Sequence, residues 1–470
     1  MLKGLDVSEV KFCKLNTFET FRYDAEYFQK QYIIDETLTS KRADDFCKFK
    51  NYSIEIDCSA FYPSLEPYYN TGDVPFIRVG DVKTWIDYDN CIRLPQDISH
   101  KFPTLKSVGP GDIVITKGGS IGRVGFVLEP AYVSRDILFL KSSVLPREQE
   151  VLLFFYLTSN FANRGLLRSS SQIAQPHITV SLIKNFDILR LDLSMSDKLT
   201  EIFDTCLDLI KESAQKYHEA EQTLLGELGF AGWSPTQESF SIKNCSDFFA
   251  ASRFDAEYFH PKYDELFALL DKCKTRSLGG KAGLVDIQRS IEPGSDAYSD
   301  KGVPFVRIAD FTEMGITTPE IHIPPEICAD SPRPKKDTIL LSKDGSVGIA
   351  YKVEDDLDVV TSSGILHLTV KDTAVLPDYL TLVLNSKIVR LQAERDAGGS
   401  IIQHWKQTEI ERVKIPLLPL PRQRVIADKV QSSFALRAES KRLLDLAKHA
   451  VETAIEQGEQ KAMTVLNTGN

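Results

Sequence analysis

A chain of 470 residues with 42% hydrophobic and 26% charged residues has the composition of an ordinary globular protein, long enough for two large domains or three smaller ones. No run nears the ~18 uninterrupted apolar residues of a membrane helix, Met1-Leu2-Lys3-Gly4-Leu5-Asp6 meets charge before a signal-peptide core can form, and the eight cysteines (13, 47, 58, 91, 206, 245, 273, 328) never take CxxC spacing, so a cytoplasmic protein with reduced, structural thiols is expected. The formal net charge of −10 counts against a general nucleic-acid coat but leaves room for a DNA reader that gathers its Lys and Arg on one face.

The first pattern along the chain is Phe21-Arg22-Tyr23-Asp24-Ala25-Glu26-Tyr27-Phe28. Its Tyr23, Tyr27 and Phe28 fall at helical spacing, so a short amphipathic helix or turn is expected, with Arg and Asp paired locally. Val74-Pro75-Phe76-Ile77-Arg78-Val79-Gly80-Asp81-Val82 then has strand composition, with a proline near its start where a missing donor is tolerated. Three more short strands follow in Asp112-Ile113-Val114-Ile115-Thr116, Arg123-Val124-Gly125-Phe126-Val127 and Asp136-Ile137-Leu138-Phe139-Leu140. Short strands with frequent turn signals suggest a compact, twisted β-unit with helices at its ends. A helix is expected over 151–164, and after it a polar loop, Ser169-Ser170-Ser171-Gln172-Ile173-Ala174-Gln175-Pro176-His177.

The long helix that comes next has the clearest periodicity. From Leu199 the positions Phe203, Cys206, Ile210, Ser213, Tyr217, Ala220 and Leu224 alternate by four and three, a heptad seam flanked by Lys and Glu.

The chain then repeats itself. The opening pattern returns as Ser252-Arg253-Phe254-Asp255-Ala256-Glu257-Tyr258-Phe259, where His260-Pro261 should limit it, because the residue before proline is pushed out of the helical region. Val303-Pro304-Phe305-Val306-Arg307-Ile308 repeats the first strand, and Lys343-Asp344-Gly345-Ser346-Val347-Gly348 repeats Lys117-Gly118-Gly119-Ser120-Ile121-Gly122. A helix over 377–395 and a polar loop, Ala397-Gly398-Gly399-Ser400-Ile401-Ile402-Gln403-His404-Trp405, complete the correspondence. The offsets of 231, 229 and 226 residues are far beyond the ~20–50 residues of solenoid repeats, so the period marks two whole domains of one design. A second heptad seam follows in Ile426, Val430, Ser433, Arg437, Ser440, Leu444, Ala447 and Val451. Small residues on both seams let helices approach closely, and an antiparallel pair between the two copies is the economical arrangement.

Catalytic signatures are missing. The sequence has no GxxxxGK[ST] loop, no [DNS]PP[YF] element, and no HExxH or CxxC. The glycines of 118–122 lie between two short strands, which makes a β-turn of them and not a phosphate cradle. The eight histidines are dispersed with no i, i+4 pair, so no metal site is expected.

Binding residues are sought where the copies agree and where they differ. Arg78 with Arg307 and Lys117 with Lys343 are matched cations, either phosphate contacts or partners of Asp81 and Asp310. Gln172, Gln175 and His177, and Gln403, His404, Trp405 and Lys406, join amides to rings and charge; an amide can pair bidentately with adenine, or a polar loop can bond its own backbone. Arg123 and Arg135 have no basic counterpart in the second copy, and Arg333, Lys335 and Lys336 form a basic run in that copy alone.

One segment carries a family resemblance. Ile415-Pro416-Leu417-Leu418-Pro419-Leu420-Pro421-Arg422-Gln423-Arg424-Val425-Ile426-Ala427 resembles the I-P-x-P-P-L-x-E-Q-x-x-I-A approach to the conserved helix of the specificity subunit of type I restriction–modification systems. The strands around Val303-Pro304-Phe305-Val306-Arg307-Ile308-Ala309-Asp310-Phe311 and the 343–348 turn are similar to parts of that family's target-recognition domains. The resemblance covers essentially the whole chain, with two departures. Arg422 stands where the family has an acidic residue, and the first copy offers Leu189-Arg190-Leu191-Asp192-Leu193-Ser194 in place of the proline-rich approach.

The resemblance implies an α+β fold with two pseudo-symmetric β-rich target-recognition domains, over 1–195 and 231–421, separated by two long antiparallel coiled-coil helices over 196–230 and 422–462. Each domain would read one half of a bipartite site in double-stranded DNA. A helix of about 30 residues spans ~45 Å at ~1.5 Å per residue, which suits half-sites one DNA turn, ~34–36 Å, apart. The helices would bind modification subunits, two in number, that carry the S-adenosylmethionine and methylate adenine N6, while a motor-nuclease restriction subunit cuts unmodified DNA. The chain itself would be non-catalytic and hold no cofactor. Other readings stay open: a specificity-like adaptor of another phage-defence system, a methyltransferase or nuclease with an unrecognised catalytic site, or a coiled-coil scaffold.

Overall fold

In the computed structural model, which describes residues 8–10, 25–88, 90–170, 177–191, 193–238, 240–398 and 403–469, each copy of the repeat becomes a β-rich unit that includes part of both long helices. Met1–Asp208 with Glu439–Asn470 form the first unit and Leu209–Ala438 the second, and the fold is α+β.

The first unit is built on a four-stranded antiparallel sheet in the order Ile56–Cys58, Ile137–Leu140, Ile113–Thr116, Val124–Phe126. The two central strands are buried at every position, which is why they read as continuous apolar runs and do not alternate. A second sheet runs Ile92–Leu94, Val74–Ile77, Ala131–Val133, Lys106–Val108, its middle pair parallel. Phe46–Lys48 pairs with Asp187–Leu189 in a third.

The second unit repeats this plan, except that its second sheet has three strands and it adds a hairpin of Phe311–Thr312 with Gly315–Ile316. Val285–Arg289, Ile365–Val370, Ile339–Ser342 and Ala350–Lys352 make the first sheet, His322–Ile323, Val303–Val306 and Val360–Thr361 the second, and Thr275–Ser277 with Lys414–Pro416 the third. The unusual parallel pairing recurs in register: Phe76 lies opposite Tyr132 and Ile77 opposite Val133, as Phe305 lies opposite Val360 and Val306 opposite Thr361.

Local structure departs from the sequence expectation in two places. The helix expected over 151–164 is two, Arg147–Thr158 and Asn160–Ser169, broken at Ser159, whose Oγ accepts the Ala162 N–H at 3.1 Å. Its match breaks at Ser386, between Pro377–Asn385 and Lys387–Asp396. Serine wins at both points because its hydroxyl competes for backbone groups and favours caps over helix interiors. The second copy of the opening pattern forms the expected turn, over 256–259, beside a bidentate Arg253–Asp255 pair at 2.6 and 2.7 Å, and Pro261 then opens a helix, Pro261–Leu270, where its missing N–H costs nothing. Ala25–Phe28 likewise forms a turn, while Phe21–Asp24 lies outside the described residues.

The long helices are Ser196–Glu227, 32 residues, and Leu420–Gln457, 38 residues. Gly458, at φ +96°, stops the second and starts a separate helix, Glu459–Thr468, within the stretch expected to be continuous to 462. The two long helices pair antiparallel through small residues. In the first unit Ser440 Oγ donates to Cys206 O at 3.1 Å, and Cys206 Sγ reaches Ser440 O at 3.4 Å. In the second unit Ser433 Oγ donates to Ser213 O at 2.8 Å and sits 2.9 Å from Ser213 Oγ. Such contacts need backbones close enough for a short side chain to cross between them.

Of the expected seam, Leu199, Phe203, Cys206, Leu224, Ile426, Val430 and Val451 are buried, and Ile210, Tyr217 and Leu444 are half-buried, Leu443 being the more deeply buried neighbour. Several of these side chains serve the β-units as well as the helix pair. Phe203 sits among Trp85, Phe126, Phe154 and Phe155, with ring centroids 4.8–5.9 Å away, and Leu224, Ile426 and Val430 join the core of the second unit. Burial pushes the Cys206 thiol up to about 11 and the Cys91 thiol to about 12, so both stay protonated at neutral pH.

A buried histidine ties the second unit's stability to pH. His367, on the central strand, has its Nε2 2.8 Å from Thr361 Oγ1, and burial lowers its pKa from 6.5 to about 4. Between those values the unfolded chain binds a proton that the folded chain refuses, so stability falls as pH drops from 6.5 to 4 and the loss saturates below. The shift corresponds to about 3 kcal/mol. Urea unfolding at stepped pH should show this loss in the natural chain relative to His367→Gln; parallel pH profiles of the two would refute the assignment.

Candidate nucleic-acid interface

The matched glycine turn is the structural centre of the surface in each unit. In the first, the Gly122 N–H bonds Thr116 O at 2.9 Å, and Thr116 Oγ1 takes the Arg123 N–H while donating to Ser120 O. In the second, Gly348, Ser342, Ile349 and Ser346 repeat every bond. Gly122 and Gly348 sit at φ +80° and +84°, and a Cβ on Gly122 would lie 2.8 Å from Asn163 Nδ2. The turn is therefore structural, as its place between two strands suggests.

Backbone bonds bring the other candidates to this turn. The Lys117 N–H bonds Asp136 O, beside Arg135, and Lys117 O accepts from Ile178, beside His177. In the second unit the Lys343 N–H bonds Gly364 O, Lys343 O accepts from Trp405, and Gln403 O accepts the Gly345 N–H at 2.9 Å. A Cβ on Gly119 would come 3.6 Å from Val79, next to Arg78, and one on Gly364 would strike Ile308, next to Arg307. Thus Arg78, Lys117, Arg135 and His177 share one surface of the first unit, and Arg307, Lys343, Gln403 and His404 one surface of the second.

The matched arginines each bond an aspartate. The Arg78 and Arg307 N–H groups donate to Asp81 and Asp310 Oδ2 at 2.9 and 3.0 Å, and their Nε atoms lie 3.4 and 3.3 Å from the same oxygens. Both guanidinium groups stay partly exposed. Lys117 Nζ lies 3.3 Å from Cys58 Sγ, whereas Lys343 Nζ pairs with Asp344 at 2.5 Å. Arg123 and Arg135 are exposed, Arg135 at 3.9 Å from Asp136, and exposed Lys406 lies 3.5 Å from Glu409.

The two surfaces differ at a matched position. Where the first unit has Gly118, beside the His177 ring, the second has Asp344, whose Oδ1 lies 2.8 Å from His404 Nδ1. Both turns thus present a lysine and a histidine, but the first has a bare glycine where the second has a carboxylate.

One expectation needs correction. Trp405 offers no ring to a base: it is 1% exposed and packs in the core of the second unit, as Ile178 is buried in the first. Its backbone belongs to the strand-like ladder with Lys343, which turns the side chain inward. The basic run of the second copy forms surface ion pairs, Arg333 with Asp358 at 3.1 Å and Lys335 with Asp356 at 3.0 Å, as a short solvated charge run does. Gln172 and Gln175 lie outside the described residues. Sequence reading passed over Phe61 and Tyr62, which the second copy replaces with Glu292; the mismatch was visible once Ser59 is aligned with Ser290. Among the described residues no group of three or more His, Cys, Asp or Glu is placed to hold a metal, and no helix is long and apolar enough to cross a membrane.

The buried Gln423 explains one motif position. Its amide accepts the Leu376 N–H at 2.9 Å and donates to Ala374 O and Leu418 O at 2.8 Å each, locking the approach to the second long helix onto the domain. Arg422, the departure beside it, lies 3.6 Å from Glu227 at the end of the first long helix.

Residues 282–445 match the family model described as the type I restriction modification DNA specificity domain. Nothing among curated proteins matches the chain. Solved structures similar to it include the S subunit of a type I restriction-modification system from M. genitalium (13% identity, 90% of this chain and 95% of that one, TM-score 0.33). Others are the HsdS subunit from Thermoanaerobacter tengcongensis (14%, 88% and 96%, TM-score 0.27) and a chain from work on assembly of the type I R-M system (16%, 88% and 97%, TM-score 0.28).

Proposed function

We propose that the whole chain, whose residues 282–445 match the family model of a type I restriction modification DNA specificity domain, is the specificity subunit of such a system and reads a bipartite site in double-stranded DNA. The observation that carries this reading is the repetition of the matched domain's strand order, parallel register and glycine turn in the first unit, which the family model does not cover. Each unit then reads one half-site. Matched cations such as Arg78 and Arg307 contact phosphates, which set register without reading sequence. The residues that differ around the turns, His177 with Gly118 against His404 with Asp344, supply the difference between half-sites, with Gln403 as a base-reading amide.

The catalytic work belongs to partners: two modification subunits carrying S-adenosylmethionine methylate adenine, and a motor-nuclease restriction subunit cuts. The paired long helices are the surface that receives the modification subunits. The test is assembly and exchange. The chain is expected to form a stable complex with a methyltransferase encoded beside it. Replacing residues 1–195 with those of a relative should change one half of the methylated site, as read by mapping methylated adenines. A change in both halves, or methyl transfer by the isolated chain, would defeat the proposal.

A further inference from the structure

Phe61 stands against the usual burial of large apolar side chains: it is 76% exposed. Its backbone is held. The Ala60 N–H bonds Thr104 O at 3.2 Å, and Phe61 O accepts from Thr104 Oγ1 at 2.9 Å. The next residue, Tyr62, packs on the cluster of Leu65 and Phe76, and its hydroxyl accepts the Arg135 N–H at 3.3 Å. With Tyr62 used as the anchor, the neighbouring ring is left pointing away from the core.

Contacts of the neighbours of this ring lead from its segment to three cations. Three residues before it, Cys58 Sγ touches Lys117 Nζ at 3.3 Å. Arg135, half of whose side chain is exposed, follows directly from the Tyr62 contact. Ser134, its neighbour, bonds Ile77 O, immediately before Arg78. The nearby carboxylates are only loosely engaged with these cations, Asp81 at 3.4 Å and Asp136 at 3.9 Å, and Asp57 is paired with Lys106 at 3.1 Å. An exposed aromatic ring on a held backbone, linked through its neighbours to three cations, suits a partner with both fixed negative charge and apolar faces, which is the chemistry of a nucleic acid.

We infer that Phe61 makes an apolar contact with a base of the half-site read by the first unit, while Arg78, Lys117 and Arg135 engage the phosphates around it. The second unit uses different chemistry at this place. Its segment Arg289-Ser290-Ile291-Glu292-Pro293 is one residue shorter and carries a carboxylate, Glu292, held by Ser363 Oγ at 2.8 Å. The ring and the carboxylate are therefore specificity-determining residues of opposite character, one excluding and one accepting hydrogen bonds. This rests on the proposed function, whose half-sites it assigns.

The experiment uses the full chain assembled with the methyltransferase encoded beside it, and reads duplex affinity and the map of methylated adenines. Phe61→Ala is expected to weaken binding to the preferred duplex about tenfold, the scale of one good base contact, and to relax base preference in one half-site only. Phe61→Leu should retain part of the preference, and Glu292→Ala should leave that half-site unchanged. Thermal melting of Phe61→Ala should match the natural chain, because the ring is exposed; this separates a lost contact from a folding defect. A Phe61→Ala complex with unaltered site and affinity would overturn the inference. If the natural complex prefers no sequence at all, the proposed function fails first, and the inference with it.

Discussion

Gln423→Leu is expected to destabilise the second unit by about 5 kcal/mol, from the ~1–3 kcal/mol that each stranded buried backbone group costs. The side chain is fully buried and its amide satisfies three backbone groups at once: the N–H of Leu376 and the carbonyls of Ala374 and Leu418. Leucine fills nearly the same space and supplies none of these bonds, so the loss measures polar satisfaction and not volume. Gln423→Glu provides the control. It keeps an acceptor for Leu376 but turns a carboxylate toward two carbonyls, so it should not rescue. Urea unfolding followed by the fluorescence of Trp233 and Trp405, in a Trp85→Phe background that silences the first unit's described tryptophan, reads the second unit alone. A loss under 1 kcal/mol for both variants would mean that the motif glutamine is not what fastens the helix.

Trp405→Ala is expected to cost about 4 kcal/mol of the same unit's stability, within the ~3–5 kcal/mol range for emptying a large aromatic site in a core. Here unfolding is followed by far-UV circular dichroism, since the substitution removes a reporter. The ring packs against a core that includes Leu341, Leu366, Ile410 and Val413, and its indole N–H is buried with no hydrogen-bond partner. Trp405→Phe therefore removes an unpaired donor along with some volume and should lose much less. The contrast with a DNA contact is direct. A base-stacking tryptophan would lower affinity and leave unfolding unchanged, whereas a core tryptophan lowers stability first. Affinity loss without destabilisation would return Trp405 to the reading surface.

The long helices, the repeat and the buried central strands were legible because each leaves a periodic or duplicated trace. Cys206, Ser213, Ser433 and Ser440 could be placed on seams from spacing alone, since small residues at heptad positions have few other uses. The candidate surface was legible in part. Arg78 with Arg307 and Lys117 with Lys343 were found because both copies carry them, and backbone bonds do place Lys117 and Lys343 beside His177 and His404. Trp405 was misread because a polar loop in sequence hides a residue whose backbone partner, Lys343, is distant along the chain. Phe61 was overlooked because nothing local distinguishes an exposed phenylalanine from a buried one.

The sequence by itself determined that there are two domains of one design, that each ends in a long helix, and that their differences sit in loops. These follow from interactions local to the chain or copied along it. Only the tertiary structure decided which aromatic ring faces outward, which motif residue is a buried clasp, and how Asp344 and His404 meet across 60 residues. Those outcomes depend on the packing of side chains from separate strands, where burial and hydrogen-bond satisfaction of the whole assembly choose among orientations that the local sequence leaves equivalent.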